Sequence, residues 1–215
     1  MSTNSIYLLS PTPRDGTVAL PMIRFKQVAK SIDFSSCDTL MFSSKQAVIS
    51  ANTTDGRWRE FPVIAIGSAT KSMVEKLGGE VIYQPKEFYA DTLAKDIKDK
   101  FSTKKILYLR PKEVSFDSRG YLAKEGITLQ EQILYETSCI DYSSVDKPDY
   151  GAIIIFTSPS SIHCFFKNFE WDSSYRAIII GRATKEHLPD GIEFYVSDIP
   201  LIDSCISKAK EIQSY

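Results

Sequence analysis

Short apolar runs recur along the chain, each closed by a turn signal and followed by a stretch with helical spacing. The runs predict strands at 6–9, 18–25, 39–42, 63–66, 80–83, 106–109, 128–135, 153–156, 177–180 and 192–196. Helices are expected after Ser44, Ser68, Tyr89, Ser115, Pro159, Arg182 and Pro200. This alternation predicts an α/β fold, with mostly parallel sheets covered by helices on both faces.

The pattern occurs twice. Leu40-Met41-Phe42-Ser43-Ser44 aligns with Ile154-Ile155-Phe156-Thr157-Ser158 at an offset of 114 residues. At the same offset, Ile64-Ala65-Ile66-Gly67-Ser68-Ala69-Thr70-Lys71 aligns with Ile178-Ile179-Ile180-Gly181-Arg182-Ala183-Thr184-Lys185. After a two-residue slip, Tyr83 meets Tyr195, Asp91 meets Asp203 and Thr92 meets Ser204. Two motifs keeping one spacing point to an α/β unit present in two copies.

Composition narrows the partners. A net charge of -1 argues against nucleic acid, so anion affinity must come from local donors. Apolar stretches such as Ala152–Phe156 are far short of a membrane span, and Met1–Ser10 lacks the basic n-region of a signal peptide. Cys37, Cys139, Cys164 and Cys205 show no CxxC spacing, and His163 and His187 are the only histidines. No metal site is therefore expected, and scattered free thiols acting as core filling fit a reducing, cytoplasmic setting.

In each copy a strand runs into Ser/Thr-Ser and then a helix. Hydroxyl residues suit the N-cap there and leave backbone N–H groups and a positive dipole end outward, a ready site for carboxylate or phosphate. Gly-x-Ala-Thr repeats the device, so four helix N-termini are expected at the carboxyl edge of the sheets. Each turn alone is more simply a cap, and the basic residues nearby (Lys45, Arg110, Lys112, Arg182) read equally as a solvated rim. Gly181 is expected to need an unusual backbone conformation or a close ligand. His163 reads as a half-exposed helical residue. Tyr135 either packs into the core or turns its phenol toward a ligand.

The ordered set Phe42-Ser43-Ser44, Ile66-Gly67-Ser68-Ala69-Thr70, Leu134-Tyr135-Glu136-Thr137, Phe156-Thr157-Ser158-Pro159-Ser160-Ser161 and Ile180-Gly181-Arg182-Ala183-Thr184 resembles the uroporphyrinogen-III synthase family. The resemblance implies two similar α/β domains joined by a two-stranded connection, with a cleft between them. Carried over, one domain is 1–25 with 137–215 and the other is 26–136. It implies a lyase that cyclises the linear tetrapyrrole hydroxymethylbilane, with loss of water and inversion of the last ring, and needs neither metal nor organic cofactor. Tyr135 is then the catalytic candidate. Ser43, Ser44, Gly67, Ser68, Ala69, Thr70, Arg110, Thr157, Ser158, Ser160, Gly181, Arg182, Ala183 and Thr184 are the substrate-binding candidates, in a cytoplasmic monomer. The chain departs from the family at Ser10-Pro11-Thr12-Pro13-Arg14, where the first helix is missing, and at Pro200-Leu201. A non-catalytic binder of a small anion and an inactive regulatory module are the competing readings.

Overall fold

A computed structural model describes residues 4–85, 90–114 and 116–213, without the side chains of 90–94 and 183. Contacts divide the chain into two compact units, Met1–Arg24 with Ser138–Tyr215, and Phe25–Thr137.

The first unit holds β1 (Ile6–Leu8), β2 (Val18–Ala19), β9 (Ile153–Phe156), β10 (Arg176–Ile179) and β11 (Phe194–Val196) in one sheet. Their order is β11-β10-β9-β1-β2, and each neighbouring pair is parallel. Helices α5 (Pro159–Asn168), α6 (Arg182–Lys185) and α7 (Ile202–Gln213) connect or flank these strands. The second unit has β3 (Ile23–Gln27), β4 (Thr39–Phe42), β5 (Pro62–Ala65), β6 (Glu80–Tyr83), β7 (Ile106–Pro111) and β8 (Gln130–Cys139) in the order β3-β8-β7-β4-β5-β6. Its helices are α1 (Lys45–Thr54), α2 (Ser68–Lys76), α3 (Ala90–Phe101) and α4 (Ser118–Lys124). The chain enters this unit within β3 and leaves it within β8, and those two strands are sheet neighbours.

Both central strands, β4 and β9, are buried at every position, which is why their sequences read as unbroken apolar runs. Each is flanked equivalently: β4 lies between β5 and β7, and β9 between β10 and β1. The repeated sequence thus folds into repeated topology. Around β4, Phe42 meets Trp58 edge-on at 5.9 Å, over a core that includes Val48, Val63, Leu107 and Leu134. Around β9, one face packs Ile206 and Ala209 of α7, and Phe156 lies among Phe165, Phe166 and Trp171.

Four expectations change. The strand expected at 18–25 is two strands in different sheets, separated at Leu20-Pro21-Met22, where Pro21 has no N–H for a ladder. The strand expected at 128–135 starts at Gln130 and runs on to Cys139. The helix expected after Ser115 begins at Ser118, capped by Asp117, whose carboxylate accepts from the Gly120 N–H at 2.8 Å; residue 115 itself lies outside the described residues. Cys139 and Cys164 are not free thiols but a disulfide, with Cα atoms 5.2 Å apart. The chain after β8 lies along α5 because Asn168 ties it there: its Nδ2 donates to Ile140 O at 2.9 Å and its Oδ1 accepts from Tyr142 N–H at 2.7 Å. Those bonds carry the two cysteines together. Cys37 and Cys205 stay free, and Cys205 fills the core against Ile206 and Ala209.

Between β1 and β2 the chain makes turns rather than a helix, yet Leu8 and Leu9 are fully buried. Among the described residues no helix is long and apolar enough to cross a membrane.

Candidate functional site

At the carboxyl end of β4 the chain turns into α1 through Ser43 and Ser44. Ser44 is extended (φ -152°, ψ 150°), and its Oγ accepts from the Ala47 N–H at 3.1 Å, satisfying one of the donors a helix start leaves over. Strand β7 lies beside β4 with Tyr108 opposite Met41, and β8 lies beside β7 with Tyr135 opposite Pro111. Two phenols therefore reach the same turn. Tyr108 Oη lies 2.6 Å from Ser43 Oγ, and Tyr135 Oη lies 2.9 Å from Ser44 Oγ.

Both rings are buried, and Phe25 meets Tyr135 edge-on at 5.5 Å. Burial raises the Tyr135 pKa, because an isolated phenolate would lose its hydration, and the bond to Ser44 only partly opposes this. Tyr108 is raised for the same reason, against the opposing bond from Ser43 and the nearby Arg110 charge, while Glu131 adds to the rise. Both residues are consequently neutral donors at physiological pH. Ser44 has one lone pair committed to Ala47 and can give its own proton to Tyr135, which leaves the phenol proton for another acceptor.

Arg110, one of the expected anion ligands, is engaged within its own unit. Its Nη1 donates to the Pro111 and Lys112 carbonyls at 2.9 Å each. Its Nε is 3.3 Å from Glu131 Oε1 but misaligned for a hydrogen bond. Lys112 pairs with Glu136 at 3.4 Å. These charges brace the ends of β7 and β8.

The second copy of the turn keeps the cap and loses the phenols. Ser158 Oγ accepts from Ser161 N–H at 3.2 Å, and Ser161 Oγ accepts in return from Ser158 N–H at 3.1 Å. Ser161 also accepts from Thr157 N–H, and Thr157 Oγ1 donates to Leu9 O at 3.4 Å. Leu8 occupies the place equivalent to Tyr108, since Ile155 pairs with Leu8 as Met41 pairs with Tyr108. The Thr157, Ser158 and Ser161 hydroxyls of this turn are spent on backbone groups.

The glycine turns also differ. Gly67 has φ 80°, a conformation that favours glycine, whereas Gly181 has φ 178°, extended backbone open to any residue. A Cβ on Gly181 would touch only Pro200 Cβ, at an ordinary 3.8 Å. The expectation of an unusual conformation at Gly181 therefore fails, and it is Gly67 that has one. Helix α6 after Gly181 is a single turn, so three longer helices rather than four start at these motifs. Thr70 and Thr184 are buried inside their units, while Ser68, Ala69, Ser160 and Arg182 are exposed; the Ala183 side chain lies outside the described residues.

The structure thus gathers Ser43, Ser44 and Tyr135, and adds Tyr108, which sequence reasoning passed over. A signal existed: Tyr108 is the one polar-tipped residue in the run Ile106-Leu107-Tyr108-Leu109, two positions before Arg110.

Known proteins give the arrangement a family. Two solved structures share the fold. A uroporphyrinogen-III synthetase from Helicobacter pylori superposes with TM-score 0.82 at 24% identity, covering 97% of this chain and 99% of that one. A mutant uroporphyrinogen III synthase from the extremely thermophilic bacterium Thermus thermophilus gives 0.61 at 11% identity, covering 99% and 100%. No curated protein matches the sequence. The profile of the family described as uroporphyrinogen-III synthase HemD matches residues 16–207, nearly the whole chain. The chain belongs to the uroporphyrinogen-III synthase family.

Proposed function

We propose that the chain cyclises hydroxymethylbilane to uroporphyrinogen III, releasing one water and inverting ring D, with Tyr135 hydrogen-bonding the hydroxyl as it leaves. The observation that carries the residue assignment is the Ser44–Tyr135 pair at 2.9 Å: a neutral phenol, held by a serine that can supply its own proton, at the carboxyl edge of a parallel sheet. The leaving hydroxyl departs from a carbon attached to an electron-rich pyrrole, whose nitrogen lone pair supplies the push. A strong acid is then unnecessary, and a positioned neutral donor suffices. The rest is positioning, which must make closure through the inverted ring faster than direct closure.

The net reaction changes no oxidation state, so its balance requires neither oxidant nor reductant. The substrate's carboxylates call for several donors, and the reading assigns Ser43 and the exposed start of α2 to them. It also takes the protein to act in the cytoplasm as a monomer. The test is direct: supply freshly made hydroxymethylbilane and identify the isomer formed. Type III product is expected. Type I alone, the outcome of unassisted closure, would end the proposal.

A further inference from the structure

We infer that Tyr108 is a positioning residue for substrate binding: its phenol donates to Ser43 Oγ and so turns the Ser43 proton toward a carboxylate of the substrate. The inference rests on the hydroxymethylbilane reading above and deepens it.

The separation of 2.6 Å is at the short end for two hydroxyls. Either hydroxyl can donate in this pair; once Ser43 gives its proton to a carboxylate, only the Tyr108 proton can lie between the two oxygens. A hydroxyl that accepts one hydrogen bond donates the next more strongly, because the two dipoles polarise each other. Ser43 is half-buried where Tyr108 is buried, so it is the end of the pair able to meet a ligand. The sheet does not need a phenol here to pack, since the equivalent strand place in the other unit is Leu8. In that unit the residue matching Ser43 is Thr157, whose proton goes to Leu9 O. The duplicated scaffold therefore works without this pair, which frees the pair for a ligand in the one unit that has it.

Adjacent serines then receive separate tasks. Tyr135 with Ser44 acts on the leaving hydroxyl and affects turnover. Tyr108 with Ser43 grips a carboxylate equally in the ground and transition states and affects binding.

Steady-state kinetics with hydroxymethylbilane separates the two, with melting temperature as control. Tyr108→Phe is expected to raise KM roughly 3- to 10-fold, the loss of about one hydrogen bond, with kcat within about twofold. Ser43→Ala should match it and Ser43→Thr should restore KM. The double variant Ser43→Ala/Tyr108→Phe should be no worse than Ser43→Ala alone. A wild-type KM for Tyr108→Phe, a fall in kcat at unchanged KM, or additive losses in the double variant would overturn the inference. So would a Tyr108→Phe chain that no longer melts cooperatively, since the phenol would then be structural. Absence of type III product from the unaltered chain is a separate result, and it would remove the reading beneath.

Discussion

The turn at Phe42-Ser43-Ser44 and the turn at Phe156-Thr157-Ser158 begin from nearly the same sequence and end with different chemistry. Each follows a buried central strand, each caps a helix with its second hydroxyl, and the cap distances agree within 0.1 Å, at 3.1 and 3.2 Å. They part company in what lies on the neighbouring strands. Beside the first turn stand Tyr108 and Tyr135; beside the second, the matching strand offers Leu8 and a main-chain carbonyl. A cap motif alone specifies a helix start. What surrounds that start is set by residues far away in sequence, which the sheet brings alongside.

The sharpest way to break this comparison is Tyr135→Phe, which deletes one hydroxyl and keeps the ring against Phe25. Turnover is expected to fall on the order of 10- to 1000-fold, with type III product still formed and stability changed by about 1 kcal/mol. Wild-type turnover in a folded variant would make the two turns chemically equal. Next come the glycines. Gly67→Ala forces a side chain into a left-handed φ and should cost about 1–2 kcal/mol, whereas Gly181→Ala should be nearly neutral. Denaturant melts of the pair check this, and equal costs would count against it.

Serine caps give a smaller contrast. Ser44→Ala and Ser158→Ala should each lose about 1 kcal/mol of stability, but only Ser44→Ala should also slow turnover. The smallest effect is alkaline. Tyr108 and Tyr135 in one unit are raised by burial, and Tyr175 in the other is pushed up to about 12 by burial, with Asp172 adding to it. A raised phenol pKa contributes stability that is fully present below the unfolded value near 10 and is lost as pH rises through the folded value. Melting temperature should therefore hold between about pH 7 and 10 and fall above that range. Tyrosinate absorbance from these three rings appearing at about pH 10 in the native protein would contradict their burial.

Much of the fold was legible because its signals are local. The continuous apolar runs of β4 and β9 and the offset shared by two motifs follow from strands buried on both faces and from a duplicated unit. The split at Pro21 was less legible, because Val18 to Phe25 keeps an apolar tone through the proline and only the missing N–H reveals the break. The candidate site was legible in part. Ser43, Ser44 and Tyr135 can be picked from motifs, but Tyr108 joins them through strand pairing between β4 and β7, a contact across 65 residues. Gly181 misled for a related reason: an identical letter in two copies does not carry an identical φ. The bonds of Arg110 were not legible, because a basic residue near a strand end reads the same whether it faces a ligand or its own carbonyls.

The link between Cys139 and Cys164 has a consequence for the unfolded chain rather than the folded one. It closes a loop whose ends are 25 residues apart and which contains β9 and the Thr157-Ser158 turn. Removing the freedom of such a loop lowers the entropy of the denatured ensemble, which corresponds to about 3.5 kcal/mol in a chain-entropy treatment. That contribution exists only while the bond is oxidised. In a thiol-rich compartment the same residues would be two thiols, and the unit built around β9 would give up this share of its stability. The unit that carries the paired phenols has no cysteine in the link and would keep its own.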